Sequence, residues 1–188
     1  MEVVEKFKLL GIHIRSDMKW YDNTDNICKK GYQRLWMLRR LKGLGANQSE
    51  LLDVFNKQVR SVLELAVPAW NPGLTIEEEK QIERVQKTAF RIILGVDYIT
   101  YEEALETLEC ETLKERRQKI SLKFAKRALK HERYSTWFQP QQSQQNSAKP
   151  NTRAPKAKQN RFVPVPFRTT RYRDSPIPYL TELLNAMK

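Results

Sequence analysis

Apolar residues recur at helical spacing along most of this chain. In QIERVQKTAFRIILG (81–95), Ile82, Val85, Ala89, Ile92 and Ile93 fall on one side of an ideal helix at about 100° per residue. Lys80, Arg84, Lys87 and Arg91 fall nearly opposite. Glutamates at 77, 78 and 79 load the first turn behind a Thr75 cap, and Gly95 suits the far end. One face is patterned for a core; the other is either a solvated face or a surface for an anionic partner. Upstream, Ile27, Gly31, Leu35, Leu38 and Leu41 predict a helix starting near Asn23 and Thr24, running to Lys42 and stopping at Gly43 or Gly45. Tyr32 and Trp36 flank that apolar row, and Lys29, Lys30, Arg34, Arg39 and Arg40 surround it with positive charge. A Ser49 cap then opens a helix that turns Leu52, Phe55, Val59, Val62 and Ala66 inwards and is ended by Pro68. These three helices with short loops predict a small antiparallel bundle over 21–95.

Before the bundle, KFKLLGIHIR (6–15) reads as a strand or hairpin arm. No partner strand is legible downstream, so the element is expected to be an orphan whose sheet lies elsewhere. After the bundle, Ala104, Leu105 and Leu108 mark a short helix. Thr112 with Glu115 is a capping-box pattern opening a longer helix to His131, with Leu113, Ile120, Phe124 and Ala128 to one side. Arg116, Lys119, Lys123, Lys126 and Lys130 form a stripe beside them, with Arg127 at its border. A stripe of one sign repels itself when free, which favours nucleic-acid contact over simple solvation. Gln, Ser, Asn, Pro and Lys dominate 139–160, a predicted flexible basic linker with too little apolar area to offset its ordering entropy. In FVPVPFRTTRYRD (162–174), Arg161, Arg168, Arg171 and Arg173 interleave with Phe162, Phe167 and Tyr172. Such interleaving serves either to grip phosphates and stack on bases or to dock the tail. Leu180, Leu183 and Leu184 anchor a closing helix. The expected fold is mainly α: a short N-terminal strand or hairpin (1–20), a three-helix bundle (21–95), a helical extension (96–138), the linker (139–160) and an Arg/aromatic tail (161–188).

Composition changes the picture at one point. The 188 residues carry a net charge of +12, and the sequence pI is about 9.8. A partner of negative charge follows, nucleic acid first and an anionic membrane surface second. Cys28 and Cys110 are too few and too far apart for a disulfide framework, and His13 and His131 are isolated, so no metal site is expected. Reduced thiols point to an intracellular setting, cytoplasmic or nuclear. No apolar run is long enough to insert in a membrane. There is no phosphate-binding Gly loop and no nucleophile motif. Asp17, Asp22, Asp25, Asp53, Asp97 and Asp174 are scattered, whereas two-metal phosphoryl transfer needs converging carboxylates. No catalytic residue is assigned.

Several segments together resemble the C-terminal part of reverse transcriptases from non-LTR (LINE-like, jockey/CR1-type) retrotransposons. FKLLGIHI (7–14) followed by MKW (18–20) is similar to the last palm strands, the primer grip. RLWMLRRLK (34–42), VLELAVPAWN (62–71) and IERVQKTAFRIILG (82–95) look like the thumb helices. YEEALETL (101–108) with LKERR (113–117) resembles the continuation, and TTRYRDSPIPYLTELLN (169–185) the ending of many such reading frames. The resemblance implies an RNA-directed DNA polymerase segment that lacks the catalytic Asp-Asp box, the fingers and most of the palm. Those missing parts would be partners, and Mg²⁺ would belong only to the complete polymerase. It implies that Leu9, Leu10 and Gly11 border a primer terminus. It also implies that basic helix faces (Lys29, Lys30, Arg34, Arg39, Arg84, Lys87, Arg91, Arg116, Lys119, Lys123, Lys126, Lys130, with Arg168 and Arg171 of the tail) track an RNA–DNA hybrid or duplex template–primer through its phosphates. Two other readings stand beside it: a decayed remnant without retained activity, and a basic interaction module for acidic protein or anionic lipid.

Overall fold

The computed structural model of the chain describes residues 4–140 and 161–187. Most of the predicted linker therefore lies outside the described residues. The fold is mainly helical and opens with a short two-stranded hairpin. Strand β1 (Lys6–Leu9) pairs antiparallel with β2 (Ile12–Arg15), Phe7 opposite Ile14 and Leu9 opposite Ile12. The orphan strand expected from the sequence is thus corrected: both arms lie within ten residues. The turn was hidden because Leu10 (φ 47°) and Gly11 (φ 90°) both take positive φ, a two-residue hairpin geometry usually signalled by Asn-Gly or Asp-Gly.

Contacts divide the chain into two units, 1–119 and 120–188. In the first, helix α1 (Tyr21–Gly43) starts two residues before the expected Asn23 and buries Ile27, Cys28, Gly31, Leu35 and Leu38. Helix α2 (Gln48–Val54) is capped by Asn47, not Ser49. Asn47 Oδ1 accepts from the Glu50 amide at 2.9 Å, and Glu50 Oε2 accepts from the Asn47 amide at 2.9 Å. The helix continues through a π-helical segment (Phe55–Arg60) into α3 (Ser61–Leu63). The wider π turn shifts the buried row to Leu51, Phe55, Val59 and Leu63, leaving Leu52, Val62 and Ala66 only half-buried.

Pro68 does not end this helix. The chain reverses at Ala66, in the left-handed region (φ 52°, ψ 33°), and Pro68 sits in the first turn of α4 (Val67–Trp70), where its missing N–H costs nothing. Fully buried Trp70 donates its indole N–H to the Leu65 carbonyl at 2.7 Å, tying the reversal. A 3₁₀ turn (Asn71–Gly73) leads to α5 (Ile76–Leu94) with the expected Thr75 cap, which Glu78 completes as a capping box, and Gly95 at its C-terminal end. Helix α5 buries Ile82, Val85, Ala89, Phe90 and Ile93 against α1 and α2, with Phe55 and Phe90 edge to face at 5.7 Å between centroids. At Gly31 of α1 the packing is tight: a Cβ there would lie 3.0 Å from Val85 Cγ1 and 3.1 Å from Leu63 Cδ2. Helix α6 (Tyr101–Thr107), capped by Thr100, packs on α5.

Helix α7 (Leu113–Lys130) runs through the division, opened by the expected box: Thr112 Oγ1 accepts from the Glu115 amide at 3.2 Å. Its buried row is Leu113, Arg117, Ser121, Ala125 and Ala128. Phe124, expected inside, is 39% exposed, because the core-facing arc is centred one residue further on. In the second unit Ala125 and Ala128 pack with Phe138, Phe162, Leu180 and Leu184. The short α8 (Glu132–Ser135) and α9 (Thr170–Arg173) precede the closing helix α10 (Pro176–Ala186). The tail is pinned there: the Phe162 amide donates to Asn185 Oδ1 at 2.9 Å, and Asn185 Nδ2 donates to the Phe162 carbonyl at 3.0 Å. Of the tail aromatics, Phe162 is therefore a docking residue, whereas Phe167 and Tyr172 stay about half exposed.

Candidate nucleic-acid interface

The cations picked from the sequence separate by what else they hold. On α1, Lys29, Arg39 and Arg40 are exposed and have no hydrogen-bond or ion-pair partner among the described residues. Lys30 is half-buried. Arg34 is committed to structure, donating to the Gln58 carbonyl. Lys42 is committed too. Its ammonium donates to the Ile92 carbonyl at 2.6 Å and the Ile93 carbonyl at 3.1 Å, meeting the negative end of α5.

The cations on the α5 face opposite the core each make an internal contact. Lys80 lies 3.7 Å and Arg84 3.0 Å from Glu77. Lys87 sits over the Tyr101 ring at 4.6 Å, and Arg91 over Tyr98 at 5.2 Å. Tyr101 itself is held on the core side, its hydroxyl donating to Glu83 and accepting from Gln86 Nε2 at 2.9 Å. Burial, then the bond to the Glu83 carboxylate, pushes the phenol well above its ordinary range.

Helix α7 changes character along its length. Arg116 makes a two-pronged contact with Glu64, at 2.5 Å and 3.1 Å, which raises the guanidinium pKa further. Lys119 pairs with Glu111 and holds that carboxylate below its usual range. Beyond them Lys123, Lys126, Arg127 and Lys130 are all exposed, with no partner among the described residues. All four belong to the second unit. At about 100° per residue, the three lysines lie within a narrow arc nearly opposite the buried row.

Sequence reasoning missed Arg117, which is 1% exposed. Its Nε donates to Asn71 Oδ1 at 2.9 Å, and Glu79 Oε1 lies 4.0 Å from its guanidinium. Four-residue spacing from Leu113 to Ser121 was the available signal, masked by the polarity of the side chain. In the tail, Arg168 and Arg171 are exposed and unpaired among the described residues, while Arg173 closes on Asp174 at 2.8 Å. Leu9, Leu10 and Gly11 form the hairpin tip, with Leu10 89% exposed. Nearby, Arg15 bonds Asp17 at 3.1 Å and Asp22 at 3.2 Å, so two of the scattered carboxylates are consumed by one guanidinium.

No protein-family model, curated protein or solved structure matches the chain. Among the described residues no group of three or more His, Cys, Asp or Glu side chains is arranged to hold a metal ion. No described helix is long and apolar enough to cross a membrane.

Proposed function

We propose that this chain is a nucleic-acid-binding module that holds a template–primer duplex through its phosphates, as the thumb and C-terminal segment of a non-LTR retrotransposon reverse transcriptase would. In this reading it does no chemistry itself; the catalytic carboxylates belong to a palm outside the chain. The observation that carries the reading is the row Lys123, Lys126, Arg127 and Lys130 on α7, exposed and unneutralised where Arg116 and Lys119 are tied to acids. Four cations on about 10 Å of helix repel one another. A comparable length of duplex carries roughly six phosphate charges, whose counterions are released on contact. Phosphate contacts of this kind hold without reading sequence.

Replacing Lys123, Lys126 and Lys130 together by Glu is expected to weaken binding to an RNA–DNA hybrid by roughly ten- to a hundredfold at moderate salt, read by fluorescence anisotropy. The helical circular dichroism should not change, since all three side chains are exposed. An unchanged hybrid affinity would remove the proposal's support. So would binding that anionic vesicles or an acidic protein compete for and duplex does not, an outcome that favours an interaction module instead.

A further inference from the structure

The outward face of α1 has a composition that phosphate binding alone does not explain. Trp36 is 62% exposed and Tyr32 40% exposed, whereas Trp20 and Trp70 are buried. Neither ring stacks on another ring, lies under a cation or makes a side-chain hydrogen bond among the described residues. At about 100° per residue, Lys29, Trp36 and Arg40 lie opposite buried Ile27, Gly31, Leu35 and Leu38, and Tyr32 and Arg39 adjoin them on one side, all five within one arc. The face thus carries two bare aromatic rings, one helical turn apart, between three unpaired cations.

We infer that this face is a stacking site for unpaired nucleotides, a single-stranded segment whose bases lie on Trp36 and Tyr32 while Lys29, Arg39 and Arg40 meet its phosphates. The inference rests on nucleic acid being the ligand and adds a second surface and a different substrate class. Bases inside a duplex already stack on one another and offer no free ring face. An exposed ring gains most from an unpaired base, and such stacking is insensitive to sequence because every base has a π-face. The neighbouring cations fix the sign of the occupant. A second copy of this chain would bring Lys29, Arg39 and Arg40 against their own kind, and a polyanion would not.

The test compares single-stranded oligothymidylate with a duplex of equal length, by anisotropy, for the full chain and for Trp36→Ala and Trp36→Phe. Because Trp36 is exposed, neither variant is expected to lose its fold. Trp36→Ala should weaken oligothymidylate binding about fivefold or more while changing duplex affinity less than twofold, and Trp36→Phe should recover most of the loss. Part of the tryptophan fluorescence quenched by the oligonucleotide should vanish in Trp36→Ala. Equal losses on both ligands, or no loss on the single strand, would overturn the stacking site and leave the α7 phosphate grip standing. A self-associated wild type that Trp36→Ala dissociates without altering single-strand affinity would also overturn it, in favour of a homotypic contact. A wild type that binds neither ligand would sink the nucleic-acid reading together with this one.

Discussion

Cys28 shows how strongly one buried group can couple this fold to pH. Its thiol sits on the core side of α1, 2% exposed, and burial with the nearby Asp25 carboxylate pushes its pKa from the ordinary 9.0 up to about 12. The folded thiol keeps its proton where the unfolded one has lost it. Between pH 9 and 12 the unfolded chain therefore binds fewer protons, and stability falls as pH rises. The expected slope from this group is about 1.4 kcal/mol per pH unit. Urea denaturation at pH 8 and pH 10.5 should show it, and Cys28→Ala should remove it. Equal slopes in the two proteins would contradict the assignment. Tyr101, also raised by burial, adds to the decline above pH 10 in both. The residues hardest to read from sequence were those whose chemistry and position disagree. The sequence reading left Arg117 unassigned and set Trp36 beside the apolar row; the structure buries the first and leaves the second exposed. In each case helical phase was the better guide.

At the scale of elements, the local signals at Thr75, Thr112 and Gly95 held, whereas the Ser49 cap gave way to Asn47. Thr75, Thr112 with Glu115, and Gly95 sit where the sequence put them because capping is decided within four residues. The π segment at Phe55–Arg60 could not be foreseen in that way, since an inserted turn changes the hydrophobic period without leaving a residue signature. The hairpin turn failed for a related reason: Leu10 occupies a positive-φ site without the usual Asn or Gly. Packing between elements makes its own demand at Gly31. There Val85 and Leu63 leave no room for a branched side chain, so Gly31→Val is expected to cost about 1–3 kcal/mol through overpacking. Chemical denaturation would show this as a lower midpoint. A midpoint at or above wild type would mean that α1 and α5 can separate at little cost.

At the scale of the whole molecule, charge is the dominant feature, and it is not spread evenly. Much of the positive charge on α5 and at the start of α7 is answered by Glu77, Glu64 and Glu111, or covered by Tyr98 and Tyr101. Among the described residues, unanswered cations cluster on the outer face of α1, the second half of α7 and the tail at Arg168 and Arg171, with Lys8, Lys19 and Arg133 exposed outside these groups. The sequence revealed the excess and its helical rows. It could not reveal which members were spent internally, because Arg116–Glu64 and Lys42 with the Ile92 carbonyl join positions about fifty residues apart. Only the tertiary fold separates a cation that caps a helix from one left facing solvent.

The most direct test of the central claim, that free cations on α7 hold phosphates, is the salt dependence of hybrid binding. The logarithm of the affinity for an RNA–DNA hybrid should fall linearly with the logarithm of salt concentration. In the Lys123→Glu/Lys126→Glu/Lys130→Glu protein the slope should be shallower by about 2 to 3, as expected for up to three lost phosphate contacts. The same slope in both proteins would contradict the account, because the affinity would then come from diffuse charge.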